Sequence, residues 1–192
     1  MQEPQQARGL SGWWRRTRQA GAERRARREL AAELYNRLVG EARSPHFYAE
    51  LGVPDTSDGR FEMIGLHAVL VMRRLRAMPD GPEIAQELFD LMFADMDRGL
   101  RELGVGDLSV GKYVKKMAAG FLHRAQALDE PLARGDGAAI TPVLLRNLYV
   151  TGEEPAPEQV AALSAHLLGW SRALDAFEDA GLLRGELPPG RP

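Results

Sequence analysis

Apolar residues recur at three- and four-residue steps along most of the chain, which places them on one face of an α-helix. The final segment shows this spacing most regularly and predicts a narrow helix-packing seam. The residues of this seam are Val160, Leu163, Leu167, Trp170, Leu174 and Phe177. Strict alternation of apolar and polar residues, the signature of a half-buried strand, is not the dominant pattern.

The pattern predicts helices separated by breaks that contain Pro or Gly. Their expected ranges are 23–42, 59–77, 83–103, about 107–129, 142–150 and 158–180. Asp58 is the expected N-cap of the second helix. That helix is apolar on most sides, so we expect it in the middle of a bundle. In the fourth segment, Val110, Tyr113 and Met117 are expected to face inward.

The chain is therefore expected to form an all-α, single-domain bundle of five to six helices. The expected divisions are a basic, disordered tail over 1–22, the helical domain over 23–180 and a C-terminal tail over 181–192. Composition supports this fold class, because 26 Leu and 26 Ala stand against 17 Val, Ile and Thr. The sequence contains no Cys, which excludes disulfides and thiolate ligands to metal or haem.

Charge is divided unevenly along the chain, although the net charge is only −2. Residues 1–28 contain eight Arg and two Glu, a net charge of +6, and the remainder has a net charge of −8. The longest apolar run, Met63 to Met72, has ten residues and is interrupted by His67. A spanning helix needs about 20 residues, so we expect no passage through a bilayer. The N-terminus also lacks the apolar core of a secretory signal, although its Arg-rich character is compatible with a mitochondrial transit peptide.

The basic N-terminal segment carries a candidate surface for membrane or ribosome attachment. Its residues are Trp13, Trp14, Arg15, Arg16, Arg18, Arg24 and Arg25. Trp favours the membrane interface, and Arg is attracted to anionic headgroups. The same residue types suit RNA, through phosphate neutralisation and base stacking. A solvated basic tail is the alternative.

Motifs for catalysis or ligand binding are weak. Residues 106–113, GDLSVGKY, approach the phosphate-binding pattern G-x-x-x-x-G-K-[ST], but Tyr113 replaces the hydroxyl residue and the segment follows a predicted helix. The four His, at 46, 67, 123 and 166, lack the helical spacing of paired metal ligands. Asp95 and Asp97 point in different directions on a helix. We therefore expect no enzyme activity, no cofactor and no small-molecule substrate.

Three segments resemble the ubiquinol–cytochrome c chaperone family. They are FYAELGVPDTSDGRFEMI followed by LH within 47–67, LFD with FADMD within 88–97, and LRELGVGDLSVGK over 100–112. The resemblance spans about 33–132 and weakens after about 138. The family continues with a stretch like F-Y-G-R-x-x-A-Y, where this chain has Phe121, Leu122, His123 and Arg124.

The resemblance implies an all-α assembly factor that binds newly made cytochrome b during biogenesis of the ubiquinol–cytochrome c reductase complex. The short, Ala- and Arg-rich chain is similar to alphaproteobacterial members. A peripheral position at the cytoplasmic face of the inner membrane is then expected, or the matrix side in a eukaryote. The alternatives are a small helical protein that binds haem or nucleotide, and a nucleic-acid or ribosome binder acting through the basic segment.

Two groups of polar residues are candidate partner contacts. The first lies in the connector and helix start that carry the resemblance, where exposed polar residues often recognise a partner. It consists of Asp55, Asp58, Gly59 and Arg60. The second is a basic helix face formed by Lys112, Lys115 and Lys116, the only lysines of the chain. Capping and turn chemistry in the first group, and a solvated face in the second, are the alternatives.

Overall fold

The computed structural model describes residues 6–150 and 154–190, with side chains from residue 19 onward. Within these ranges the chain consists of helices and short connections without β-strands, which confirms the all-α prediction. The helices are α1 (Gln6–Ala42), α2 (Pro45–Ala49), α3 (Ser57–Arg76), α4 (Gly81–Glu102), α5 (Asp107–Arg134), α6 (Gly137–Asn147), α7 (Pro157–Ala176) and α8 (Asp179–Leu183). The number exceeds the expected five to six because α2 and α8, of five residues each, are too short to show a periodic pattern.

Helix α1 begins at Gln6, well before the expected start at Glu23. The added segment is rich in Ala, Arg and Gln, which favour helix even without an apolar face. The expected boundary at residue 22 therefore coincides with no break in the helix, and a separate role for the tail stays a prediction. The buried side chains of α1 all lie in its second half: Ala31, Leu34, Tyr35, Leu38 and Ala42.

Helix α3 lies in the middle of the bundle, as its nearly all-round apolar pattern predicted. It packs against α1, α4, α5 and α7. Fourteen of its 20 residues are buried, including the continuous run from Met63 to Met72. The apolar surface buried around this run is the main stabilising contribution to the fold, since burial contributes about 25 cal/mol per Å².

Several helix ends differ from their predicted positions because of capping. The N-cap of α3 is Thr56, whose Oγ1 accepts a hydrogen bond from the Gly59 amide at 3.1 Å. Asp58, the expected cap, lies in the first turn instead, where its charge interacts favourably with the helix dipole. Helix α6 starts at Gly137 because Asp136 caps it through the Ala139 amide at 3.1 Å.

The C-terminal segment, expected to be a tail from residue 181, packs on the bundle as far as Gly190. Leu182 is fully buried. The indole Nε1 of Trp170 donates to the Pro188 carbonyl at 3.1 Å, and the Gly190 amide donates to Glu41 Oε2 at 3.1 Å. These contacts attach the segment to α7 and to the end of α1.

Gly59→Ala should destabilise the fold. A Cβ at this position would lie 2.0 Å from the Pro54 carbonyl oxygen, so the first turn of α3 or the preceding connector would have to move. We expect urea denaturation to show a loss of about 1–3 kcal/mol in the free energy of unfolding. Gly99→Ala in α4 is the matched control, because nothing lies within 4 Å of its Cβ position, and it should gain about 0.5–1 kcal/mol. Equal effects of the two substitutions would contradict this account.

Candidate functional site

A cleft of about 630 Å³ opens beside the N-terminal end of α3, and we name it the α3–α5 cleft. Helix α3 contributes Asp58, Gly59 and Glu62 to its walls. Helix α5 contributes Tyr113, Lys116 and Arg124, and Arg146 and Val150 lie on the α6 side. Three of the sequence-predicted contact residues, Asp58, Gly59 and Lys116, therefore line one cavity although they come from different segments.

The walls of the α3–α5 cleft are apolar and polar in similar measure. Phe61, Leu100, Met117 and Leu148 contribute to them. Two apolar side chains at the rim face solvent, since Tyr113 is 53 % and Val150 is 65 % exposed. The expectation that Tyr113 faces inward was wrong, because at this point α5 has left the apolar seam and lines an open cleft. An apolar rim of this kind is typical of a binding surface.

An ion pair between Glu62 and Arg124 lies in the cleft. Arg124 Nε is 3.0 Å from Glu62 Oε2, and the two side chains are only 9 % and 16 % exposed. The two groups are close enough for an ion pair, but they are not aligned for a hydrogen bond. Considering the residues that the structure describes, Glu62 Oε2 and Arg124 Nη2 are both buried without a hydrogen-bond partner. The sequence did not single out either residue as a site residue.

Burial controls the ionisation of this pair. It raises the pKa of Glu62 to about 7, with the attraction of Arg124 opposing the shift and the repulsion of Asp58 adding to it. Burial also lowers the pKa of Arg124. Gly120 leaves room for the guanidinium, since a Cβ there would lie 3.0 Å from Arg124 Nη1. The cleft thus contains a carboxyl group that changes charge near neutral pH.

The remaining residues of the first predicted group lie at a separate depression. Arg60 Nε donates to Asp55 Oδ1 at 2.6 Å, and both side chains are more than half exposed. Arg60 lowers the pKa of Asp55 through this hydrogen bond. Arg43 and Tyr48 line the same depression of about 550 Å³. An exposed pair of this kind contributes little to stability.

Of the basic residues predicted as contacts whose side chains the structure describes, Lys116 lines the cleft, whereas Lys112, Lys115, Arg24 and Arg25 do not. Lys112 and Lys115 are exposed on α5. Arg24 lies 3.6 Å from Glu87 of α4, and Arg25 pairs with Glu29 at 2.9 Å within α1. The side chains of Trp13, Trp14, Arg15, Arg16 and Arg18 lie outside the described residues. Both basic surfaces therefore stay predictions.

Two of the four histidines meet in an aromatic cluster, which their sequence positions did not indicate. The ring centroids of His67 and His166 are 5.8 Å apart, and Phe47 and Trp170 pack beside them. His67 is fully buried and its Nδ1–H donates to the Met63 carbonyl at 2.8 Å. Burial lowers the pKa of His67 to about 4. The described residues contain no cluster of three or more His, Asp or Glu suited to a metal ion.

The phosphate-loop-like segment and the acidic pair of α4 have structural roles. Residues 107–113 form the first turns of α5, with Gly106 as N-cap, so they do not form a loop around a phosphate. Asp95 Oδ2 accepts a hydrogen bond from the Tyr35 hydroxyl at 2.9 Å, which joins α1 to α4. Asp97 pairs with Arg101 along the helix at 2.6 Å.

Glu62→Gln should change how stability depends on pH. The pKa of Glu62 rises from an ordinary value of 4.5 to about 7 on folding, so the folded chain binds this proton more tightly than the unfolded chain. The contribution of Glu62 to stability is therefore complete below about pH 4.5 and declines as the pH rises to about 7. Urea denaturation should show the variant gaining about 2–3 kcal/mol relative to wild type from about pH 4 to about pH 8.

The difference in the free energy of unfolding between Glu62→Gln and wild type reports the effect of Glu62 alone. His67 has a lowered pKa and therefore destabilises both proteins as the pH falls below about 6.5, an effect that cancels in the comparison. A stability difference that stays constant with pH would contradict the burial of an ionisable Glu62.

The α3–α5 cleft lies inside the part of the chain that is similar to known proteins. The family model described as ubiquinol–cytochrome c chaperone matches residues 49–188. The mitochondrial protein CBP3 of Saccharomyces cerevisiae is 32 % identical over 108 residues, 54 % of this chain and 32 % of that protein. The chain thus spans about a third of the length of this curated relative.

A solved structure covers nearly the whole chain. The crystal structure of the Cbp3 homologue from Brucella abortus is similar with a TM-score of 0.75 and 34 % sequence identity. The similarity covers 93 % of this chain and 94 % of that chain. Together with the family match over residues 49–188, this agreement confirms the resemblance that the sequence motifs indicated. The chain belongs to the ubiquinol–cytochrome c chaperone family.

Proposed function

We propose that the chain is a non-catalytic assembly chaperone of the ubiquinol–cytochrome c reductase complex and that its client is newly made cytochrome b. The observation that carries this proposal is the family match over residues 49–188, which includes α3 to α7 and the whole α3–α5 cleft. The role of a chaperone is to bind a client whose apolar surface is not yet buried. The surface of this chain suits that role.

Large exposed apolar side chains concentrate in one part of the described chain. Six of the seven lie between residues 103 and 150, from just after α4 to just after α6. These six are Leu103, Leu108, Tyr113, Leu122, Leu145 and Val150. Leu108 is 94 % exposed, although it follows the first residue of α5. Tyr113 and Val150 of this set lie together at the rim of the α3–α5 cleft, and an exposed apolar rim suits a surface that another protein covers.

The proposal also includes attachment at a membrane surface. No helix in the described part of the chain combines the length and the apolar character needed to cross a bilayer. The basic segment that begins α1 suits a peripheral contact with anionic headgroups. We place the chaperone at the cytoplasmic face of the inner membrane, or at the matrix side in a eukaryote, where the segment meets the membrane or a ribosome.

Deleting the gene should lower the amount of assembled reductase while the cytochrome b messenger stays normal. Native gels and reduced-minus-oxidised spectra measure the complex, and the wild-type gene should restore it. Tyr113→Glu should restore it poorly, because it places a charge at the rim of the α3–α5 cleft. Leu183→Glu is the matched control, since Leu183 is 52 % exposed and lies on α8. Normal complex levels after deletion would overturn the proposed function.

Replacing Arg15, Arg16 and Arg18 by Gln should release the protein from its surface. We expect flotation with phosphatidylglycerol vesicles to fall at least several-fold, because each basic residue contributes about 1 kcal/mol near an anionic surface. Lys112, Lys115 and Lys116 replaced by Gln form the control with the same charge change. Cosedimentation with ribosomes in place of vesicles would assign the segment to the ribosome. Unchanged binding to both would refute attachment through this segment.

A further inference from the structure

Glu62 and Arg124 present one hydrogen-bond acceptor and one donor that nothing in the described residues satisfies. Glu62 Oε2 lies 3.0 Å from Arg124 Nε, on the edge of the guanidinium that also carries Nη2. Leaving buried polar groups without partners costs free energy, and buried groups in folded proteins are normally paired. Both residues line the α3–α5 cleft, so a group that enters the cleft can complete the pair.

The charges around the cleft favour a neutral ligand group. A carboxylate or phosphate would be repelled by Glu62 and by Asp58 on the same wall. An ammonium group would be repelled by Arg124, and by Lys116 and Arg146, which also line the cleft. A peptide amide has neither conflict, because its carbonyl accepts from an N–H and its own N–H donates to a carboxylate oxygen. The apolar walls formed by Phe61, Leu100, Met117 and Leu148 select apolar neighbours for that amide.

We propose that the α3–α5 cleft binds the backbone of an apolar polypeptide segment, with Arg124 donating to a peptide carbonyl and Glu62 accepting from a peptide N–H. The inference rests on the proposed function and deepens it, since it states how an apolar client is held. Apolar segments of membrane proteins outside a bilayer expose peptide groups wherever they have not formed helix. The cleft supplies hydrogen-bond partners for one of those peptide groups, and these hydrogen bonds involve the backbone of the segment and not its side chains.

Entry into the cleft requires movement at its rim. Glu62 Oε2 and Arg124 Nη2 have almost no solvent contact in the unliganded chain. Lys116 and Tyr113 lie at the edge of the cleft and are exposed, so their side chains can turn aside. An entering segment therefore displaces rim side chains to reach the donor and the acceptor.

Binding of a labelled synthetic peptide to the full chain tests the proposal. The peptide contains Leu, Ala and Val, with lysines at both ends for solubility. In a set of analogues, one amide at a time is replaced by an ester, which removes the N–H and weakens the carbonyl as an acceptor. We expect fluorescence anisotropy to show an affinity loss of about tenfold at one or two adjacent positions, the effect of losing one hydrogen bond.

The double variant Glu62→Met/Arg124→Met should bind the amide peptide and its ester analogues equally. Replacing both buried ions by apolar groups is commonly tolerated by a fold, and circular dichroism with thermal melting checks this. Glu130→Met/Arg134→Met is the matched control, because this exposed ion pair lies on α5 and neither residue lines the α3–α5 cleft. It should keep the discrimination between amide and ester.

A photoreactive residue locates the bound peptide. Placed at position 113 it should crosslink to the peptide, and placed at the equally exposed position 183 on α8 it should not. Equal affinity of the wild-type chain for all analogues, absence of peptide binding, or ester sensitivity that persists in the double variant would each overturn the proposal. Crosslinking of position 113 to anionic lipid or to a second copy in preference to the peptide would overturn it too. These results are independent of reductase assembly in the deletion strain, so each proposal can fail alone.

Discussion

The burial of α3 between α1, α4, α5 and α7 is the constraint on which the rest of the structure depends. A helix covered on all sides needs a partner for each polar group it carries into the interior. His67 meets this requirement within its own helix, through the Met63 carbonyl. Arg74 meets it at the other end of the fold, where its guanidinium donates to the carbonyls of Leu174 and Phe177 and pairs with Asp179.

Arg74 contacts the C-terminal end of α7. Its Nε and Nη2 are 2.9 Å from the Leu174 and Phe177 carbonyls, and the Leu174 carbonyl also accepts from the Phe177 amide. The end of α7 is therefore satisfied both by its own backbone and by Arg74 of α3. The indole of Trp170 donates to the Pro188 carbonyl. This hydrogen bond attaches the residues after α8 to α7. Glu62 differs from His67 and Arg74 because its partner, Arg124, is close but poorly aligned.

Features that depend on neighbouring residues could be predicted from the sequence, whereas features that depend on contacts between distant residues could not. The periodic patterns of α3, α4 and α7 depend on neighbouring residues, and their positions were predicted to within a few residues. The additional helices α2 and α8 are shorter than the pattern needs. Asp58 and Thr56 are both good caps, and the structure uses Thr56, whose Oγ1 accepts from the Gly59 amide. The candidate site was only partly visible, because Glu62 and Arg124 are far apart in sequence and meet only where α3 and α5 pack together.

Helix α1 is attached to the bundle in two different ways along its length. Its second half buries Leu34 and Leu38 completely, whereas its described part before residue 30 is held to α4 by Arg24–Glu87 and Arg27–Glu83 at 3.6 and 3.4 Å. Ion pairs near the surface weaken as salt screens them, and apolar burial does not. Ionic strength therefore sets how much of α1 stays on the bundle. An anionic surface that competed for Arg24 and Arg27 would weaken the same two ion pairs and leave the apolar contacts of Leu34 and Leu38 in place.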